Sequence, residues 1–209
     1  MIVIINPNST VAMTETLLAT ARRMMPEAHI EGWTSHDGPP AIQGAEDGAA
    51  CIPPLLDLVT EAEAAGARII IIGCFDDTGL AQARAITDCV VLGIGEAAYA
   101  RAARLGRFSV VTTLPVSVPV LEGNIAALGL TPRCARVRAS GVAVLALETD
   151  PATAIPQVLA EARTALAEDD IRSVVLGCAG MVDVAAHAPD FPVPLIDGLR
   201  AALERTKTL

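Results

Sequence analysis

Short runs of aliphatic and β-branched residues alternate with alanine-rich stretches from one end of the chain to the other. The runs fall at 2–5, 28–33, 68–73, 89–93, 107–112, 135–139, 172–177 and 193–196. Most are continuous rather than alternating, the pattern of strands covered on both faces of a parallel sheet. Between them, 11–25, about 54–65, 78–86, 95–105, 116–128, 151–167, 179–187 and 198–207 carry helical spacing. Pro26 is expected to stop the first helix, and Pro53-Pro54 to open the second, because proline lacks the N–H that a helix interior needs. Strand and helix in strict alternation predict an α/β fold with mainly parallel sheets.

The pattern also repeats. Arg68-Ile-Ile-Ile-Ile-Gly-Cys74 and Arg172-Ser-Val-Val-Leu-Gly-Cys178 lie 104 residues apart, each an arginine, a strand, Gly-Cys, then a helical segment. About 20 residues beyond each cysteine comes a further strand with a glycine turn, Val90-Val-Leu-Gly93 and Pro194-Leu-Ile-Asp-Gly198. Before each unit stands a strand with a polar, proline-containing turn: Val3-Ile-Ile-Asn-Pro-Asn-Ser-Thr10 and Ser109-Val-Val-Thr-Thr-Leu-Pro115. Two similar α/β domains are therefore expected, 1–98 and 99–198, with a C-terminal helix at 199–209 packing back on the first. Ligands of open α/β sheets bind at the carboxyl ends of strands. Halves related by a pseudo-twofold axis would bring Cys74 and Cys178 face to face across one cleft.

Composition narrows the function. Of 209 residues, 52% are hydrophobic and 19% charged, which excludes a disordered chain. No apolar run approaches the roughly 20 residues of a membrane helix. Met1-Ile-Val-Ile-Ile5 has no basic n-region, so a secretory leader is not expected. A net charge of −9, no basic cluster and few aromatics argue against nucleic acid. The single lysine, Lys207, sits near the chain end, which argues against a pyridoxal Schiff base. His29, His36 and His187 show no ligand spacing, so no metal is expected. Five cysteines at wide, irregular intervals read as free thiols in a reducing, cytoplasmic compartment.

A lone cysteine is most often a small buried hydrophobe, and Cys51, Cys89 and Cys134 are read that way. The matched placement of Cys74 and Cys178 sets them apart. Each is expected to close a strand and open a helix, whose N–H groups would lower the thiol pKa. Asp76 and Asp77 would disfavour a Cys74 thiolate, so Cys178 is expected to ionise first; alternatively Asp77 caps a helix beginning at Thr78. Asn6, Asn8, Ser9 and Thr10 after the first strand, and Thr112 and Thr113 after its counterpart, can cap helices or supply donors to a substrate oxygen. Gly38-Pro-Pro-Ala-Ile-Gln-Gly44 is a lid, a pocket wall or a plain connector. Gly93-Ile-Gly-Glu-Ala-Ala98 lacks the acidic residue a dinucleotide fingerprint needs after the next strand. No G-x-S-x-G elbow or Walker loop is present.

Asn6-Pro-Asn-Ser-Thr10, Cys74-Phe-Asp-Asp-Thr-Gly-Leu80, Phe108-Ser-Val-Val-Thr-Thr113 and Gly177-Cys-Ala-Gly-Met181 together resemble the hydantoin racemase branch of the aspartate/glutamate racemase superfamily, over essentially the whole chain. The resemblance implies racemisation next to a carbonyl with no cofactor, in a homo-oligomer, with Cys74 and Cys178 acting from opposite faces of a small hydantoin-like substrate. Glutamate and aspartate racemases typically carry Asn-Thr after the first cysteine; here Phe75 and Asp76 follow it, and Ala179 and Gly180 follow the second. Those four, with Asn6, Asn8, Ile42, Thr112 and Thr113, are the expected substrate-binding positions. Phe75, Ile42 and Met181 are candidates for the apolar wall; allantoin is the nearest alternative substrate, and a racemase of an acidic amino acid and a non-catalytic small-molecule-binding protein are the other readings.

Overall fold

The computed structural model describes residues 1–208; Leu209, the last residue of the expected helix 199–209, lies outside the described residues. Eight strands form: β1 (Ile2–Asn6), β2 (Ile30–Thr34), β3 (Ile69–Ile72), β4 (Val90–Gly93), β5 (Phe108–Thr112), β6 (Cys134–Ala139), β7 (Ser173–Leu176) and β8 (Leu195–Asp197). They make two four-stranded sheets of identical order, β2-β1-β3-β4 and β6-β5-β7-β8, with every pairing parallel. The registers repeat as well: Ile5 pairs with Ile72, and Val111 with Leu176.

Eight helices surround the sheets: α1 (Val11–Met24), α2 (Ala45–Ala64), α3 (Leu80–Ile86), α4 (Ile94–Leu105), α5 (Val118–Ala127), α6 (Ala146–Thr149), α7 (Pro151–Glu168) and α8 (Gly198–Thr206). The continuous apolar strands conceal a period of two, because successive side chains enter different cores. Val3, Ile5, Ile70 and Ile72 pack outward under α2 and α3. Val111, Val174 and Leu176 pack outward under α7. Ile2, Ile4 and Ile71, with Phe108, Val110 and Val175, face a third core that the two halves share, filled by α1, α4, α5 and α8.

Helix α4 joins the halves, so the expected boundary between residues 98 and 99 falls inside a helix. Arg101 and Arg205 pair with Glu204 and Glu96, tying α8 to α4. A Cβ on Gly198 would come within 2.8 Å of the Ile94 carbonyl, so the two helix starts cross too closely for any side chain there.

Three elements depart from the sequence pattern. Helix α2 starts at Ala45, nine residues earlier than expected, and runs through Pro53 and Pro54. The carbonyls that those prolines leave without an N–H belong to Ala49 and Ala50, both exposed, so water satisfies them. The stripe Cys51, Leu55, Val59 and Ala62 still holds the helix to the sheet. The expected helix 179–187 is instead two single 3-10 turns, Ala179–Met181 and Val184–His187. Gly180 and the β-branched Val182 and Val184 are poor helix formers in so short a stretch. Finally, α3 begins at Leu80, not Thr78, after Asp77 and Gly79 have both turned through positive φ (50° and 75°).

Candidate active site

The carboxyl ends of β1, β3, β5 and β7 converge, and one small cavity lies among them. Asn8, Cys74, Phe75 and Asp76 line it from the first half, with Ile42 from the loop before α2; Thr112, Thr113, Cys178 and Ala179 line it from the second. Its volume is about 20 Å³, room for one water. The loop 38–44 is thus a wall of the cavity. Pro39 and Pro40 accept hydrogen bonds from Ser9 N–H and Thr10 Oγ1, while Gln43 Oε1 accepts from Val144 N–H of the opposite half.

Two expected residues stand behind the cavity rather than on it. Asn6 is fully buried, and its Nδ2 donates to Asn8 Oδ1, the Thr10 carbonyl and Thr14 Oγ1. Its Oδ1 accepts the Asn8 N–H, so it positions Asn8. Gly180 acts through its backbone, with its N–H aimed at the Cys178 sulfur. Met181 is fully buried in the core under α7 and forms no part of the wall. Thr112 lines the cavity, but its hydroxyl is spent on the Gly177 carbonyl, 2.9 Å away.

The cavity also includes Met13, Gly73, Ser117, Val144 and Gly177, which the sequence pattern does not single out as site residues. Gly73 and Gly177 carried a signal, since each precedes a cysteine of the repeat. Both donate their N–H to the neighbouring strand, to Ile5 (2.7 Å) and Val111 (2.8 Å). A Cβ on either would lie 2.9 Å from a packed methyl group, Leu17 Cδ1 or Val110 Cγ1. Glycine therefore lets the tips of β3 and β7 lie flat on β1 and β5, which delivers each cysteine to the same place in its half.

Neither cysteine opens an α-helix. Cys74 is followed by a turn that reaches α3 only at Leu80, and Cys178 by one 3-10 turn. In place of a helix terminus each sulfur meets one N–H from two residues ahead, that of Asp76 for Cys74 and of Gly180 for Cys178. One N–H does not offset enclosure. Burial pushes the Cys178 thiol up to about 12, with a smaller rise from the Asp76 charge. Burial, and next the Asp76 charge, push Cys74 well above the usual thiol range. The expected lowering of both thiols is thus reversed in this small cavity; the Asp76 charge outweighs the one N–H at Cys74 but not at Cys178.

Asp77 does not cap the helix next to it. Its carboxylate reaches forward to accept from the N–H groups of Gly95 (3.0 Å) and Glu96 (2.5 Å), capping α4. Its pKa stands at about 7, because burial outweighs those two donors. Among the described residues, no group of three His, Cys, Asp or Glu side chains is placed to hold a metal ion, and no helix is long and apolar enough to cross a membrane.

Paired parallel sheets whose strand ends meet at one small cavity of mixed polar and apolar lining are the construction of an α/β enzyme for small molecules. A family profile described as Asp/Glu/Hydantoin racemase matches residues 2–206. A hydantoin racemase of Rhizobium meliloti is 40% identical over 209 residues, 99% of this chain and 87% of that protein. An allantoin racemase structure from Klebsiella pneumoniae superposes with a TM-score of 0.95 at 36% identity, covering 100% of this chain and 86% of the other. A second, from Pseudomonas fluorescens, gives 0.94 at 34% identity, covering 100% and 89%. The chain belongs to the Asp/Glu/hydantoin racemase family, and it is an isomerase.

Proposed function

We propose that this racemase inverts C5 of 5-substituted hydantoins by proton transfer between Cys74 and Cys178, with no metal or organic cofactor. The observation that carries the reading is the matched pair of sulfurs. Each follows a glycine that flattens its strand tip, each accepts one N–H from two residues ahead, and both border the same cavity. C5 of a hydantoin lies between a ring nitrogen and a carbonyl. One cysteine, as thiolate, removes the C5 proton, and the electron pair passes to the carbonyl oxygen as an enolate. Asn8, Thr113 and Ser117 border the cavity, and in this reading their donors stabilise that oxygen. The other cysteine, as thiol, returns a proton to the opposite face, leaving the two sulfurs with exchanged protonation.

Met13, Ile42, Phe75 and Val144 on the wall support an apolar 5-substituent over the polar ureido group of allantoin. With room for about one water, the cavity is smaller than a hydantoin, and residues 1–98 with the C-terminal helix and 99–198 act as lobes that part to admit substrate. Five free cysteines support a cytoplasmic setting, and a homo-oligomer belongs to the same reading.

The test has two parts. Decay of optical rotation is followed, with EDTA present, for 5-alkyl and 5-benzyl hydantoins, allantoin, aspartate and glutamate. Faster turnover of allantoin than of every hydantoin moves the substrate assignment. Cys74→Ser and Cys178→Ser are then examined in D2O by NMR on pure enantiomers. Each should lose racemisation yet exchange the C5 hydrogen of one enantiomer with retention, the two variants choosing opposite enantiomers. Exchange of the same enantiomer by both overturns the two-base mechanism.

A further inference from the structure

Four buried side-chain polar atoms lack a hydrogen-bond partner among the described residues: Ser35 Oγ, Asp76 Oδ2, Tyr99 OH and Ser173 Oγ. Three are hydroxyls away from the cavity. The fourth belongs to a carboxyl group on the cavity wall, in a residue only 9% exposed. Leaving a charged acceptor without a donor is among the most costly arrangements a core can hold, and such groups are rare unless something else completes them. The rest of the residue is tied down: its carbonyl accepts from Asn124 Nδ2 at 2.7 Å, and its N–H points to the Cys74 sulfur. The carboxyl group is thus fixed beside the reacting centre, near enough for its charge to act on both cysteines.

Resting on the proposed hydantoin reading, we infer that Asp76 is a specificity-determining residue whose free carboxylate oxygen accepts the substrate N–H adjacent to the carbon that is inverted. In a hydantoin that donor is N1–H, bonded directly to C5. The site would then take cyclic ureides that carry a proton on this nitrogen. Ring analogues with an acceptor at the same place are excluded by repulsion between lone pairs and the carboxylate. Free carboxylates, as in aspartate or glutamate, are excluded by like charge in a confined, poorly solvated space. No donor among the described residues takes up this oxygen, which leaves it available to the substrate. A pKa of about 7, raised by burial, agrees with a group that lacks a donor of its own.

The decisive comparison replaces one atom of the substrate. A 3-methyl-5-benzyl oxazolidine-2,4-dione has ring oxygen where 3-methyl-5-benzylhydantoin has N1–H, at nearly equal size and with an acidic C5–H, and N3-methylation of both removes the imide proton that only the dione would lose at pH 8. Racemisation of both is measured with wild-type, Asp76→Ala and Asp76→Asn enzymes at pH 8, each rate divided by its spontaneous rate in the same buffer. Wild type should favour the hydantoin by roughly 100-fold or more, the scale on which a site built around a hydrogen bond rejects an analogue lacking it. Asp76→Ala should bring the ratio to within a few-fold of one, by slowing the hydantoin and sparing the dione. Asp76→Asn, nearly isosteric and able to donate to the ring oxygen, should do the same and covers the case of an alanine variant that fails to fold. A wild-type ratio near one, or variants that keep the wild-type ratio, overturns the assignment of Asp76 while leaving the hydantoin reading intact. Absence of turnover of any hydantoin by wild type overturns both.

Discussion

Replacing Asp76 by asparagine changes one charge and almost no volume, so its effect on stability isolates the cost of that charge. Burial raises the Asp76 carboxyl from 3.8 to about 7 in the folded protein. The native state therefore keeps its proton where the unfolded chain has lost it. Between about pH 4 and pH 7 the folded form binds more protons, so this group makes stability fall as pH rises. Three pKa units correspond to roughly 4 kcal/mol, fully expressed above pH 7 and absent below about pH 4. Asparagine carries no such dependence. Urea denaturation of both proteins at pH 4, 5, 6, 7 and 8, with the difference taken at each pH, cancels the other titrating groups, Asp77 included. Asp76→Asn should match wild type at pH 4 and exceed it by about 2 to 4 kcal/mol at pH 8. For a chain of this size that is on the order of 4–16 °C in Tm. A difference that does not vary with pH, or a variant less stable than wild type at pH 8, would falsify the claim that this carboxylate is held without a partner.

Two further outcomes follow from the same geometry. Because the Asp76 charge raises both Cys74 and Cys178, Asp76→Asn should speed iodoacetamide labelling of both thiols at pH 8, with the larger gain at Cys74; mass spectrometry of labelled peptides reads this, and equal or slower labelling contradicts it. Gly177→Ala should cost about 1–3 kcal/mol by overpacking, since the new Cβ would stand 2.9 Å from Val110 Cγ1 and 3.1 Å from the Val111 carbonyl; an unchanged denaturation midpoint would show that β7 can shift without loss.

The α/β architecture was legible because strands buried on both faces leave uninterrupted runs such as Ile69–Ile72, and because Gly-Cys recurs in register with its flanking strands. Harder to read were features set by distant partners. Met13 and Val144 line the cavity, yet nothing in an apolar side chain marks it as site rather than core. Asp77 looks like a local cap, but it serves a helix 18 residues onward, a partnership that exists only once β3 and β4 lie side by side. Helix α2 passes through two prolines because the freed carbonyls happen to face water, which no local propensity states. The raised thiols are hidden from the sequence for a related reason: spacing shows a strand end beside each cysteine, but not how little room the opposing half leaves around it.

Helix α8 has a consequence for how the protein is made. Its inner face, Leu199, Ala201, Ala202 and Leu203, is buried almost completely, in the core shared with α1 and α4. A helix of nine residues has little stability by itself, and these side chains find their partners about 100 to 190 positions back along the chain. During synthesis, then, both sheets can pair while the central core still lacks one wall, with its apolar lining open to water and to chaperones. Folding closes only when residues 198–206 have cleared the ribosomal exit tunnel, so this short helix decides when the shared core between the two sheets is sealed.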